Sequence, residues 1–186
     1  MKRVENIFND VKYIPIEKYS DNRGYFSELY NKKYFYDIGI ENSFHQDNIS
    51  FSLKKYTLRG MHFQLKPFSQ SKLIKVIKGS IFDVFIDLRK ESDEFENFGS
   101  FELKEDDGWL LIPKGYAHGF LSTSEETVLF YKVDEYYNKN NDFGIIWNDP
   151  FFNVPWPCDK KKIILSEKDQ SLSNWQNCKD KILEEV

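Results

Sequence analysis

Hydrophobic positions fall into short runs with a period of two, separated by glycine, proline and charged residues, which is the signature of β-strands joined by turns. The run Lys72 to Leu88, KLIKVIKGSIFDVFIDL, is β-branched and aromatic and breaks at Lys78-Gly79-Ser80, which reads as a hairpin turn between two strands. In its second half Phe82, Val84, Ile86 and Leu88 share one face. Asp83 and Asp87 share the other with Ile81 and Phe85, a mixed pattern expected where a strand faces something wetter than core, such as a barrel interior. Further strands are predicted at Ser100 to Leu103, Trp109 to Ile112, Phe120 to Ser122 and Thr127 to Asp134. Helical signals are confined to Asn31 to Ile38, ending at Gly39, and to the tail from Ser166, where SEKDQ opens with a serine N-cap. The pattern predicts an all-β sandwich or barrel with a few short helices.

Composition sharpens this reading. The chain has 186 residues, enough for a hydrophobic core in a single domain (1–186), with no repeat or linker to divide it. Its 17 Phe and 11 Tyr suit strands and the walls of a concave pocket. A net charge of −4 with scattered basic residues argues against nucleic acid. The two cysteines, Cys158 and Cys178, have neither disulfide-framework nor zinc spacing, no run of eighteen apolar residues is present, and the first nineteen residues lack a signal-peptide core. A cytoplasmic protein with no membrane contact is expected.

Five places carry candidate chemistry. In SDNRGYFSE, the Arg23 fork suits a phosphate and Phe26 could stack on a ring, but the segment reads equally as an exposed turn. In TLRGMHFQ, His62 faces either a cavity or the core, and a lone buried histidine is more often structural. Strict alternation puts Arg59 and His62 on opposite faces, so a shared site requires a bulge near Gly60. In LLIPKGYAHGFL, Pro113 and Gly115 make a turn and His118 starts the next strand, placing an imidazole at a barrel mouth. In LFYKVDEYY, Tyr131 shares a face with Leu129 and Val133. In LSEKDQ, Asp169 taken alone is an ordinary acid at a helix N-terminus.

Together and in this order, the blocks DNRGYFSE, QDNISFS, LRGMHFQ, SKLIKVIKGSIFDVFIDLRKES, IPKGYAHGF, YKVDEYY, FGIIWNDP and LSEKD resemble the nucleotide-sugar 3,5-epimerases, the dTDP-4-dehydrorhamnose 3,5-epimerase family. The likeness runs from about Asp21 to Asp169. It implies a cupin-type jelly roll in a homodimer whose sites share residues across subunits, including the segment around Arg23. It also implies an isomerase that inverts C3 and C5 of dTDP-4-dehydro-6-deoxy-D-glucose through enolates, giving dTDP-4-dehydro-L-rhamnose. By the same likeness His62 is the base, Asp169 its partner, Tyr131 the acid and Lys72 the stabiliser of the C4 oxygen, with His118 and Arg59 lining the site. Arg23 goes to the pyrophosphate, Phe26 to a planar ring, Glu28, Gln46, Asp47 and Asn48 to nucleotide-sugar binding, and Asp142 and Lys168 to the substrate's edges.

Cupins usually hold a metal with an HxH pair, yet this chain reads HFQ, with Gln64 in the second position, so neither metal nor cofactor is expected. The same feature argues against a 3,4-ketoisomerase, whose branch carries HxH. Two alternatives stay open at this level: an epimerase for one carbon or another 4-keto nucleotide sugar, and a non-catalytic nucleotide-sugar-binding cupin. The chain departs from the family pattern in the loop NKNNDFG, in KKYT before Leu58, and at Ile49, where histidine is frequent.

Overall fold

The computed structural model describes residues 4–183. The strands are β1 (Glu5–Phe8), β2 (Val11–Ile14), β3 (Tyr19–Asp21), β4 (Gly24–Phe26), β5 (Gln46–Ser52), β6 (Leu58–Gln64), β7 (Lys72–Lys78), β8 (Ser80–Asp87), β9 (Phe98–Lys104), β10 (Trp109–Ile112), β11 (Tyr116–Ser122), β12 (Thr127–Val133) and β13 (Asp142–Gly144). Among the described residues, three short α-helices, α1 (Lys32–Asp37), α2 (Glu167–Gln170) and α3 (Trp175–Leu183), and two 3-10 turns, Lys139–Asn141 and Lys160–Lys162, complete the regular structure. Two antiparallel sheets form the body: one of six strands in the order β1-β2-β10-β7-β12-β5, the other of five in the order β13-β6-β11-β8-β9. This is the all-β sandwich the alternation predicts. The hairpin β3–β4 stands apart from both sheets.

Apolar side chains divide into three layers. Between the sheets, Val11, Ile74, Val76, Leu110 and Leu129 of the larger sheet meet Ile81, Phe85, Leu103 and Phe120 of the smaller. Behind the smaller sheet, Val84, Ile86 and Leu88 pack with Trp147, Phe152, Trp156 and Trp175 from the C-terminal segment. Behind the larger sheet, Phe35 and Ile40 cover Leu73, Trp109 and Leu111. The two faces of β8 therefore fall as its alternation requires: the purely apolar face meets the tryptophan-rich segment, and the mixed face, with Asp83, turns toward the space between the sheets.

The expected hairpin at Lys78-Gly79-Ser80 is corrected. β7 and β8 follow each other in sequence but belong to opposite sheets, so this turn is a crossing between layers. Gly79 makes it possible: its φ is +83°, and a Cβ there would overlap the Ser124 hydroxyl. Two apolar runs parted by a glycine turn carry the same local signal whether they pair or diverge.

Helix starts follow the capping chemistry. Asn31 accepts from the amides of Lys33 and Tyr34 at the head of α1, and Ser166 accepts from the Asp169 amide at the head of α2. The second cap matters most, because it fixes the turn of helix that carries Asp169.

Candidate active site

Gly60 shapes the strand that carries His62. It has φ +134°, and a Cβ on it would overlap the backbone of Gly119, so β6 and β11 approach backbone to backbone there. Arg59 pairs with Phe120 and His62 with His118, which sets three steps of β6 against two of β11. This bulge turns Arg59 and His62 onto the same cavity wall, as the glycine suggested.

The cavity, of about 580 Å³, lies between the sheets and is closed at one side by α2. From the smaller sheet Arg59, His62, His118 and Asp142 line it; Lys72, Leu129 and Tyr131 do so from the larger, and Ser166, Lys168 and Asp169 from the C-terminal segment. His62 and Tyr131 thus face one cavity from opposite sheets.

His62 Nε2 lies 2.6 Å from Oδ1 of the buried Asp169, a partner 107 residues away in sequence. A carboxylate accepts only, so it keeps the ring proton on Nε2 and leaves Nδ1 as the basic atom of the neutral imidazole. Burial works to raise the Asp169 pKa, but the His62 hydrogen bond and charge, the Ser166 hydroxyl and the Lys168 charge outweigh it, and the group is held below the ordinary carboxylate value.

Lys72 donates from Nζ to the His62 carbonyl at 3.1 Å. Burial brings its pKa down to about 8, partly offset by the charges of Asp142 and Asp83. Burial raises the Tyr131 pKa, with Arg59 drawing it back only in part, so the phenol keeps its proton at neutral pH. His118 corrects another expectation. It does not start its strand: it is the third residue of β11, buried, with Nε2 2.9 Å from Asp83 Oδ2, and it lines the cavity.

Asp142 gathers the rim. Its Oδ2 accepts from the Lys168 ammonium at 2.5 Å and from the Tyr137 hydroxyl at 3.0 Å. Tyr137, Gln70 and Asp83 were missed as site residues. Asp83 had left a signal as a carboxylate on the wet face of a strand, whereas Tyr137 and Gln70 lie in irregular segments where periodicity carries no information.

Other candidates lie outside this cavity. Arg23 is exposed on the β3–β4 hairpin and ion-pairs with Asp21 at 2.6 Å, Phe26 beside it is exposed, and Glu28 accepts from Asn31. Gln46, Asp47 and Asn48 occupy the edge strand β5. Gln46 donates to Asn48 at 2.7 Å, Asp47 pairs with Lys132, and the Asn48 Nδ2 is buried without a hydrogen-bond partner among the described residues. Ile49, Ser50 and Phe51 of that strand reach the cavity instead. Among the described residues, no group of three or more His, Cys, Asp and Glu side chains could hold a metal ion. The Gln64 carboxamide is engaged by backbone groups, donating to the carbonyls of Phe68 and Tyr136 and accepting from the Asn138 amide.

Comparison with known proteins gives a consistent result. The family described as dTDP-4-dehydrorhamnose 3,5-epimerase matches residues 5–177. A protein of that name from Methanothermobacter thermautotrophicus is 44% identical over 163 residues, covering 86% of this chain and 85% of the relative. The crystal structure of a dTDP-4-dehydrorhamnose 3,5-epimerase from Bacillus anthracis with TDP and PPi bound is 44% identical with a TM-score of 0.89, covering 92% of this chain and 98% of that one. A Legionella pneumophila epimerase in complex with dTDP-4-keto-L-rhamnose is 33% identical with a TM-score of 0.90, covering 97% and 96%.

Proposed function

The chain belongs to the dTDP-4-dehydrorhamnose 3,5-epimerase family, and from that premise we propose how its own cavity inverts C3 and C5 of dTDP-4-dehydro-6-deoxy-D-glucose to give dTDP-4-dehydro-L-rhamnose. The observation that carries the proposal is the pairing of His62 with a buried aspartate on one wall and a protonated phenol on the wall opposite. Epimerisation beside a ketone requires removal of a proton from one face and its return to the other, and the two sheets supply one group each.

His62 Nδ1 takes the C3 proton as the electron pair moves onto the C4 oxygen. The Asp169 carboxylate stabilises the imidazolium. Lys72, protonated at neutral pH, meets the enolate oxygen, a contribution of roughly 3 kcal/mol for one well-placed donor. Tyr131 then gives its proton to C3 on the opposite face. Release of the His62 proton to solvent and reprotonation of Tyr131 reset the pair for C5, which flanks the same ketone. His118, Arg59, Asp142 and Lys168 surround the sugar.

We also propose a homodimer in which Arg23, Phe26 and Glu28 serve the partner's cavity. In support, these residues lie away from their own cavity, and the edge strand β5 presents Ile49 at 73% and Phe51 at 53% exposure, with Leu53 just beyond. An exposed apolar edge favours pairing with another chain. Gln46, Asp47 and Asn48 lie on that strand, beside the shared face. The reading includes a cytoplasmic location, which the free thiols of Cys158 and Cys178 favour; no helix among the described residues is long and apolar enough to cross a membrane.

The test is turnover in heavy water of the 4-keto-6-deoxyglucose nucleotide carried by dTDP, UDP and GDP. Deuterium at both C3 and C5 with a clear preference for dTDP is expected. Label at one carbon only, or equal rates for the three carriers, overturns the corresponding part. Mixing Arg23→Ala protein with His62→Ala protein should restore activity through hybrid sites if the subunits share residues.

A further inference from the structure

The segment between β12 and β13 leaves the larger sheet at Val133 and enters the smaller one at Asp142, so it crosses from layer to layer at the rim of the cavity. Residues 135–138 in its first half have no strand partner among the described residues, and their peptide groups are met by three glutamine side chains from separate parts of the chain. Gln70 donates to the Glu135 carbonyl at 2.8 Å. Gln46, on β5, accepts from the Tyr137 amide at 3.2 Å. Gln64, at the end of β6, donates to the Tyr136 carbonyl at 3.1 Å and accepts from the Asn138 amide at 2.7 Å, and its second N–H goes to the Phe68 carbonyl at 2.7 Å.

Gln64 is buried, and its carboxamide spends both donors and its acceptor on backbone. It stands two residues after His62, so in the pleat both side chains take the same face of β6. The segment it grips carries Tyr137 to the cavity wall, where the phenol bonds Asp142, the carboxylate that also holds Lys168 beside Asp169. A continuous set of contacts therefore runs from Gln64 through Tyr137 and Asp142 to the neighbour of the dyad's aspartate.

We propose that Gln64, with Gln46 and Gln70 in support, is a positioning residue for the epimerisation: it fixes Tyr137 as the wall against which the sugar nucleotide is held through both proton transfers. The inference rests on the epimerase reading of the cavity. It gives the carboxamide at this position of the HFQ run a purpose of its own, since no side chain lacking both a donor and an acceptor could bridge Tyr136 and Asn138. A sugar that presents first C3 and then C5 to one imidazole needs a wall that does not drift between the two steps, because small misplacements of reacting atoms cost large factors in rate.

Two measurements test it. In Gln64→Met, of similar length but unable to make these bonds, the amides of Tyr137 and Asn138 should exchange with solvent deuterium faster than in the parent, with β6 and β11 unchanged. In kinetics Gln64→Met should lower kcat/KM by about tenfold, yet by less than about twofold in a Tyr137→Ala background, because a residue acting through another loses its effect when the other is gone. Equal losses in both backgrounds, or unchanged amide exchange, overturn the proposal. Should Gln64→Met fail to fold, Gln70→Met removes a single bond to the same segment and must show the same non-additivity at a smaller size, about two- to threefold. Parent protein that exchanges no substrate C–H would refute the epimerase reading, while the amide measurement would still decide the clamp.

Discussion

The two histidine–aspartate pairs form a matched comparison. His62 and His118 are cross-strand neighbours on β6 and β11, and each ring bonds a carboxylate through Nε2, at 2.6 and 2.9 Å. Their environments then part. Asp169 is held below the ordinary carboxylate value because the His62 bond, the Ser166 hydroxyl and Lys168 overcome its burial. Asp83, with no exposed surface, is pushed up by burial, and His118 and Lys72 draw it back only in part; one of its oxygens, Oδ1, has no hydrogen-bond partner among the described residues. Burial likewise lowers the His118 pKa, more than Asp83 restores, so this ring stays neutral. The same two residue types thus make an anion ready to receive an imidazolium in one place and a buried neutral imidazole in the other. Chemistry is set by what surrounds a pair, not by the pair.

The strongest way to break the comparison is to remove each ring in turn. His62→Ala should lower deuterium incorporation at both C3 and C5 by about 10³-fold or more, the range of a lost general base. His118→Ala should cost about tenfold or less, since a neutral ring that neither gives nor takes the proton contributes shape and polarity. Stopped-flow or NMR exchange rates on folded variants decide it. Equal losses would mean that both pairs carry protons.

Lys72 sharpens the comparison next, because it touches both sides: it donates to the His62 carbonyl and feels the Asp83 charge. With its pKa brought down to about 8, chiefly by burial, it is charged below that pH and neutral above it. The sign follows directly: enolate stabilisation is present at neutral pH and is lost as pH rises through about 8. Tyr131, raised by burial, keeps its proton across this range and adds no limb there. The rate should therefore fall on the alkaline side near pH 8, and Lys72→Met should lose about 10²-fold at neutral pH and the limb with it. A profile flat to about pH 10 would remove Lys72 from the reaction.

How far these features were legible in the chain depends on the distance over which they act. The faces of β8, the cap at Ser166 and the bulge at Gly60 are local, so period, capping chemistry and a misplaced glycine disclose them. The turn at Gly79 is local in shape but global in outcome, because whether β7 and β8 pair depends on which strands claim their other edges. The bond between His62 and Asp169 joins residues 107 apart. Nothing in either segment points to the other, and only the ordered resemblance of whole blocks to a family brought them together. The resemblance gave no role to Asp83, Gln70 or Tyr137: they act through contacts that exist only once both sheets are closed.

The smallest expected effect separates the two carboxylates by stability. A carboxylate whose folded pKa is depressed, as for Asp169, adds stability above its unfolded value near ~3.8 and loses it as pH falls through the folded one. A carboxylate whose folded pKa is raised, as for Asp83, does the reverse: its ionised form weighs against the fold at neutral pH, and the burden lifts as pH falls through the raised value. Asparagine at either position keeps an oxygen to accept from the imidazole and removes the charge. Asp83→Asn should therefore raise stability at neutral pH by on the order of 1 kcal/mol, a Tm gain of about 2–4 °C, whereas Asp169→Asn should lower it by a similar amount. Thermal melts near neutral pH and then at successively lower pH down to about 3 check both signs, because the Asp83 difference shrinks as pH falls through its raised value, and the Asp169 difference only as pH falls below the unfolded value toward its depressed one. Two variants that destabilise alike would mean that Asp83 is held as firmly as an anion as Asp169, and the contrast between the pairs would collapse.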